Sequence, residues 1–186
     1  MKMVRIFVEE KGDNGLWSIQ LTGKHQNEFD EFFGQLNDPN YLHNFFEAHK
    51  YDLWAGFFGK MTTEEAVLKT LEEVEEMENA LLHYAEQGFS GNANCLQHLF
   101  KPLNNHEYVI CTLQKSKARL KRSWLRMYAI RLAPNCYLVT GGAIKLTYNM
   151  ERAHLQEELM KLERAKIYLR NNCIEFPEDL NIIQHE

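Results

Sequence analysis

Three β-prone runs follow one another between residues 106 and 146: HEYVICTLQ, WLRMYAIRL and CYLVTGGAIKL. They restrict the fold more than any other feature of the chain. Runs so rich in aromatic and β-branched residues suit a pleated, half-buried surface. Only Ala133-Pro134-Asn135 separates the last two. That is too short for a crossover helix, so these strands are antiparallel neighbours. Lys115 to Arg122 reads as the basic loop between the first two. An amphipathic helix from Ala153 to about Asn171 follows, with Leu155, Leu159, Leu162 and Leu169 as its apolar seam. Helical patterns also precede the strands. The fold class expected is therefore α+β, an antiparallel sheet with helices packed on it.

The front half supplies the other elements. Residues 3 to 21 hold two β-prone runs around KGDNG, a hairpin in which Asn14-Gly15 provides the positive φ of a tight turn. Asn27 caps a helix whose Phe29, Phe32, Phe33 and Leu36 share one face, and Asp38-Pro39 breaks the chain. The aromatic-dense stretch from Tyr41 to Phe58 has Phe45, Phe46, Tyr51, Trp54 and Phe57 between its ends. It reads as core packing, being poor in cations. Thr62 and Glu65 form a capping box that opens a long helix to about Gln87. Val67, Leu71, Val74, Met77, Leu81 and Leu82 line its buried side, glutamates fill its wet side, and Gly88 stops it. The tail IEFPEDLNIIQHE begins with a proline stop and is expected to be partly loose.

Hydrophobic residues make up 45% of the 186 and charged residues 25%, the balance of one globular domain spanning residues 1–186. The formal net charge is -5, but it is spread unevenly. Thr62 to Gln87 carries eight glutamates and one lysine; Lys101 to Arg126 carries seven Lys or Arg and one Glu. Such asymmetry bears on partners more than net charge does, and it raises charge masking of the basic segment by the acidic helix. Cys95, Cys111, Cys136 and Cys173 form no CxxC pair and read as reduced core thiols of a cytoplasmic protein. The start is no signal peptide, and no apolar run has the length to span a bilayer.

The glycine pair Gly141-Gly142, with Lys145 three residues on, invites a phosphate-loop reading. A phosphate loop needs four residues between its first glycine and a Gly-Lys-Ser/Thr, with a helix following, and neither is here. Read as a strand, Leu138, Thr140, Gly142, Ile144 and Leu146 share one face, and Tyr137, Val139, Gly141, Ala143 and Lys145 the other. Glycine inside a strand marks a bulge or a close neighbour. In the preceding strand Leu125, Met127 and Ala129 form an apolar face, with Trp124, Arg126 and Tyr128 opposite. Arg126 and Lys145 then share an open face near the basic loop, a groove suited to phosphate. On these residues alone a solvated strand arginine, or one paired with a helix glutamate, is the simpler reading. Cys95, His98, His106 and Cys111 match no zinc spacing, so neither metal nor cofactor is expected. No nucleophile elbow or HExxH occurs, and His83 reads as a surface or packed histidine.

The order of elements, with LFKPLNNHEYVICTL, WLRMYAIRL and CYLVTGGAIKLT in succession, resembles the C-terminal half of the RelE/ParE toxin superfamily, in its HigB-like branch, over roughly residues 96–171. The resemblance implies a RelE-like core with an enlarged helical N-terminal half. It implies a toxin of a toxin–antitoxin pair, cutting mRNA on the ribosome without a metal. In that chemistry the 2′-hydroxyl attacks the adjacent phosphate, and protein cations stabilise the charge that develops. Arg126, followed by an aromatic at Tyr128, matches the family's strand arginine. Lys145 matches the basic group after the last strand, and Tyr148 is the third catalytic candidate. Lys115, Lys117, Arg119, Lys121, Arg122 and Arg131 are the candidate RNA contacts. Some family members carry lysines on the first of the three strands, where this chain has Val109 and Cys111. Lys115, Lys117 or His106 would then serve as base. The implied partner is a helix-turn-helix antitoxin. The alternative is a non-catalytic module of the same fold, binding RNA, or a protein through segment 41–58 or the acidic helix.

Overall fold

The computed structural model describes residues 1–55, 58–104 and 109–180. Its elements are β1 (Lys2–Val8), β2 (Gly15–Gln20), α1 (Glu28–Leu36), α2 (Pro39–Ala48), α3 (Lys50–Trp54), α4 (Thr63–Phe89), α5 (Leu96–Leu99), β3 (Phe100–Pro102), β4 (Gln114–Ala118), β5 (Leu125–Ala133), β6 (Cys136–Ile144) and α6 (Ala153–Asn171). The strands form one sheet in the order β1-β2-β6-β5-β4-β3. This is the expected α+β fold with helices packed on a sheet. Four of its pairings are antiparallel, and β2 joins β6 in parallel. The chain between those two strands runs through α1–α5 and β3–β5, long enough to bring β6 back parallel to β2. Among the described residues no helix is long and apolar enough to cross a membrane.

Local chemistry sets most boundaries. The Asn27 side chain accepts from the amides of Phe29 and Asp30, both at 3.0 Å, and opens α1. Asp38 accepts from the Asn40 amide at 2.8 Å, and Pro39 takes the first turn of α2, where a missing N–H costs nothing. The dipeptide that ends one helix thus starts the next. Thr62 and Glu65 form the reciprocal capping box at the head of α4. That helix runs past Gly88 to Phe89. The glycine is no stop signal: a Cβ there would fall on the Asn135 side chain, which crosses the helix to donate to Ala85 O at 2.9 Å. In the β1–β2 hairpin the connection spans residues 9 to 14 rather than a tight two-residue turn, and of Asn14 and Gly15 only Gly15 takes a positive φ (131°).

One expected strand lies elsewhere. Val109 to Thr112 is not a strand, and Val109 and Ile110 are exposed. His106, Glu107 and Tyr108 of that run lie outside the described residues, as do Phe57 and residues 181–186. Leu113 adopts φ 54°, and the strand starts only after it, with Gln114–Ala118 as β4. The basic segment expected as a loop therefore enters the sheet. Its small Ser116 and Ala118 bury on one face while Lys115 and Lys117 show on the other. Pairing with β5 outweighs the stronger intrinsic β-propensity of the VIC run.

The sheet is covered on both faces. Leu125, Met127, Ala129, Tyr137 and Val139 pack with the apolar faces of α1, α2, α4 and α5. Trp124 belongs to this side too, not to that of Arg126, and its indole donates to Thr70 Oγ1 at 3.1 Å. Tyr128, Ile130, Leu132, Leu138 and Ala143 form the second layer with Leu155, Leu162, Ala165 and Leu169 of α6. Ile174 and Leu180 of the tail are buried there, so the tail up to residue 180 is docked rather than loose. The aromatic stripe divides: Phe46 packs on Trp124 at 5.5 Å, whereas Tyr51 and Trp54 face solvent. Cys95 and Cys136 are buried as expected, but Cys111 and Cys173 are exposed, both lying in connecting segments outside the layers.

Candidate functional site: a cationic cleft

The glycine pair determines which way the site residues face. Tyr128 pairs with Gly141 and Ala129 with Val139, which leaves Thr140 as an extra residue in β6. Gly141 takes φ 146°, a conformation that strongly favours glycine. The bulge exchanges the faces of everything after it. Leu138 now shares a side with Ala143, while Tyr137 and Val139 share the other with Ile144 and Leu146. The uninterrupted alternation expected from sequence is corrected accordingly. Both glycines also admit close neighbours. A Cβ on Gly141 would fall on the Glu158 carboxylate, and one on Gly142 would lie 2.5 Å from the Phe32 ring.

Past the bulge, three adjacent strands present cations on the α6 side. Lys117 of β4 pairs with Tyr128 of β5, and Arg126 pairs with Ala143 of β6. Lys145 follows directly, its amide held by Trp124 O at 2.8 Å. Lys117, Arg119, Arg126, Tyr128 and Lys145 line a cleft of about 410 Å³. Leu103 and Asn104, the Thr147–Met150 loop and Leu159 of α6 form its walls. The three predicted catalytic residues Arg126, Lys145 and Tyr148 therefore meet in one place. Of the predicted RNA contacts, Lys117 and Arg119 are in the cleft. Lys115 lies on the same face of β4, ion-paired with Glu163. Lys121 and Arg122 are exposed in the turn before β5, and Arg131 is held by Gln97 and the Cys111 carbonyl, so these three do not line it.

The cleft's cations are braced by dipoles. Arg126 is 8% exposed, and its Nη1 donates to Ser123 O at 2.7 Å and Leu125 O at 2.6 Å. Lys145 Nζ donates to Thr147 O at 2.5 Å and Tyr148 O at 2.7 Å. Lys117 Nζ donates to Leu103 O at 2.8 Å. Burial, and then the charges of Arg119 and Arg126, depress the Lys117 pKa. Burial, then Arg126 and Lys117, depress that of Lys145. Burial and Arg119 lower Arg126. Burial raises the Tyr128 phenol, whose hydroxyl contacts Met150 Sδ at 3.6 Å. None of the cleft's described lining residues is acidic. Cations that disfavour one another's charge are relieved by an anion placed among them.

The acidic helix α4 does not mask this cleft. It packs on the opposite side of the sheet, and its Glu73 accepts from Ser123 Oγ at 2.7 Å behind Arg126. The exposed His83 lies on α4, away from the cleft.

A second cavity, of about 310 Å³, lies between α1, α2 and α6 over Gly142–Ile144, and sequence reasoning missed it. Its wall holds a buried charge network. Lys24 bridges Glu28 at 3.0 Å and Glu31 at 2.5 Å, and Lys161 bridges Glu28 at 2.5 Å and Glu158 at 2.6 Å. Glu158 Oε2, lodged against Gly141, has no hydrogen-bond partner, and burial pushes the Glu158 pKa up to about 7. The one sequence signal for this network was the glycine pair, which makes room for Glu158. Among the described residues no three His, Cys, Asp or Glu side chains group as a metal site. Comparison with protein-family models, with curated proteins and with solved structures found no match to the chain.

Proposed function

We propose that the cationic cleft seats a phosphodiester of RNA and that the chain cleaves it there, as the toxin of a toxin–antitoxin pair. The observation that carries this reading is the convergence of Lys117, Arg119, Arg126 and Lys145 in a cleft without an acidic side chain among its described lining. The non-bridging phosphate oxygens would be met by Arg126 and Lys145, whose charges offset that of the phosphorane-like transition state. Lys117 is the candidate general base: burial and then the charges of Arg119 and Arg126 lower its pKa. In this scheme Lys117 takes the 2′-hydroxyl proton and the 2′-oxygen bonds to phosphorus. The bond to the 5′-oxygen then breaks, and that oxygen receives a proton from Tyr148 at the rim. The products are a 2′,3′-cyclic phosphate and a 5′-hydroxyl. mRNA on the ribosome as substrate and a helix-turn-helix antitoxin as partner come from the family resemblance.

The test is induced expression of the wild type and of Lys145→Met and Arg126→Lys, with mRNA ends mapped in the cells. Wild type should halt growth and leave 5′-hydroxyl ends, and each variant should reduce cleavage on the order of a hundredfold. Wild type that neither slows growth nor cuts mRNA refutes the nuclease. A second reading, RNA binding without cleavage, is favoured by one feature: Lys117 and Lys145 both donate to backbone carbonyls, as ammonium groups do. Retained RNA binding without cut ends would select it.

A further inference from the structure

The cleft does not end at Lys117. Helix α6 packs on β5 and β6, while β4 lies one strand farther out. The face of β4 beside α6 therefore carries Lys115 and Lys117 at the bottom of a groove. Alternate residues of a strand are about 6.7 Å apart, so the two ammonium groups form a short row leading away from the cleft. The other wall is a single stripe of α6. Leu159 lines the cleft, and steps of four, three and four residues from it reach Glu163, Lys166 and Arg170. Residues so spaced lie one above another on a helix.

Across this groove the side chains meet. Lys115 is ion-paired with Glu163, and both are partly exposed. Lys166 has its pKa lowered by burial and then by the Arg170 and Lys115 charges, so these three cations lie within electrostatic reach of one another. Glu163 is held below the usual carboxylate range, first by the hydrogen bond from Lys115 and then by the charges of Lys115, Lys166 and Arg170. One carboxylate thus sits among three cations, and an ion pair this exposed is weak enough to be exchanged.

We propose that the groove between β4 and α6 is a second phosphate subsite, built from Lys115, Lys166 and Arg170, in which Glu163 occupies the place a phosphate takes when single-stranded RNA runs on from the cleft. The proposal rests on the cleft being an RNA site, and it gives that site a direction and an extended substrate. Arg170 in the last turn of α6 also offsets the helix dipole; Lys166 has no such role, which makes it the cleaner probe.

The experiment is fluorescence anisotropy with 2′-O-methyl oligouridines, which cannot be cleaved through the 2′-oxygen, titrated at several salt concentrations. One oligomer is long enough to pass the cleft and one is a dinucleotide. For the long oligomer, Lys166→Gln/Arg170→Gln should flatten the salt dependence by about 0.7 for each cation removed. Glu163→Gln should tighten binding several-fold by removing the competing anion. Neither change should affect the dinucleotide. An unchanged slope in the α6 double variant, with binding still lost in Lys145→Met, overturns the subsite and leaves the cleft reading intact. Weakening only by the α6 variant, with Lys145→Met without effect, refutes the cleft and with it a subsite that continues from it. No binding by wild type refutes both.

Discussion

Glu158→Gln tests the physics of the buried network at a residue that does not line the cleft. The wild-type carboxyl is 6% exposed, one oxygen is held by Lys161 at 2.6 Å, and the other has no partner. Burial raises its pKa from the ordinary 4.5 to about 7. The folded state therefore binds a proton more tightly than the unfolded chain. Its contribution is fully present below 4.5, declines as pH rises towards 7, and is constant above. At ~1.4 kcal/mol per pH unit, that window corresponds to a loss of about 3 kcal/mol. Glutamine keeps the shape and an oxygen for Lys161, which also stays paired with Glu28 at 2.5 Å, so the variant should fold. Urea unfolding followed by tryptophan fluorescence, repeated across the window, gives both stability curves. Subtracting them removes the titrating groups that do not interact with Glu158. Wild type should lose about 3 kcal/mol relative to the variant between the two ends. Parallel curves would refute the argument, because they would mean that Glu158 titrates alike in folded and unfolded chains.

Two further substitutions test the elements that frame the sites. Gly141→Ala should cost about 2 kcal/mol or more in urea unfolding, since it strains a φ of 146° and drives a methyl group into the Glu158 carboxylate; a loss under about 0.5 kcal/mol would show that the bulge relaxes freely. Thr62→Ala removes the oxygen that accepts the Glu65 amide at 3.2 Å and should cost about 1 kcal/mol, with an unchanged m-value as the check that only the cap is lost.

The parts of the fold that were legible in the sequence are those set by neighbours along the chain. The Asn27 cap, the Thr62–Glu65 box and the phenylalanine face of α1 are local patterns, and each appears where the residues place it. β4 was not legible, because Gln-Lys-Ser-Lys-Ala carries no strand signal of its own and is recruited by pairing with β5. Glu28 and Glu158 were not legible either. In sequence each is one acid on a helix rich in charges, and only the packing of α1 against β6 and α6 buries them side by side around Lys161. Arg126 was identified as a site residue, but as an exposed one. Ser123 O and Leu125 O hold its guanidinium inward, a turn geometry that residue types alone do not reveal.

The bulge at Thr140 governs both cavities. Tyr137 and Val139 have odd numbers and Ile144 and Leu146 even ones, yet all four belong to one apolar layer. A regular strand of period two cannot put both pairs on one side, so a residue must be inserted between them. Glycine at 141 meets the backbone demand of that insertion, and Thr140 is the residue left over. Without the bulge, Lys145 would share the face of Tyr137 and Val139 and carry its ammonium into the layer beneath α1 and α4, at a desolvation cost that nothing there offsets. With it, Ile144 and Leu146 fill that layer and Lys145 joins Arg126 and Lys117 across the sheet. The same insertion puts the bare Cα of Gly141 under Glu158, and so forms the floor of the second cavity's charge network. A motif that first resembles a phosphate loop thus acts by a different physical route: its glycines choose which side of the sheet receives the lysine.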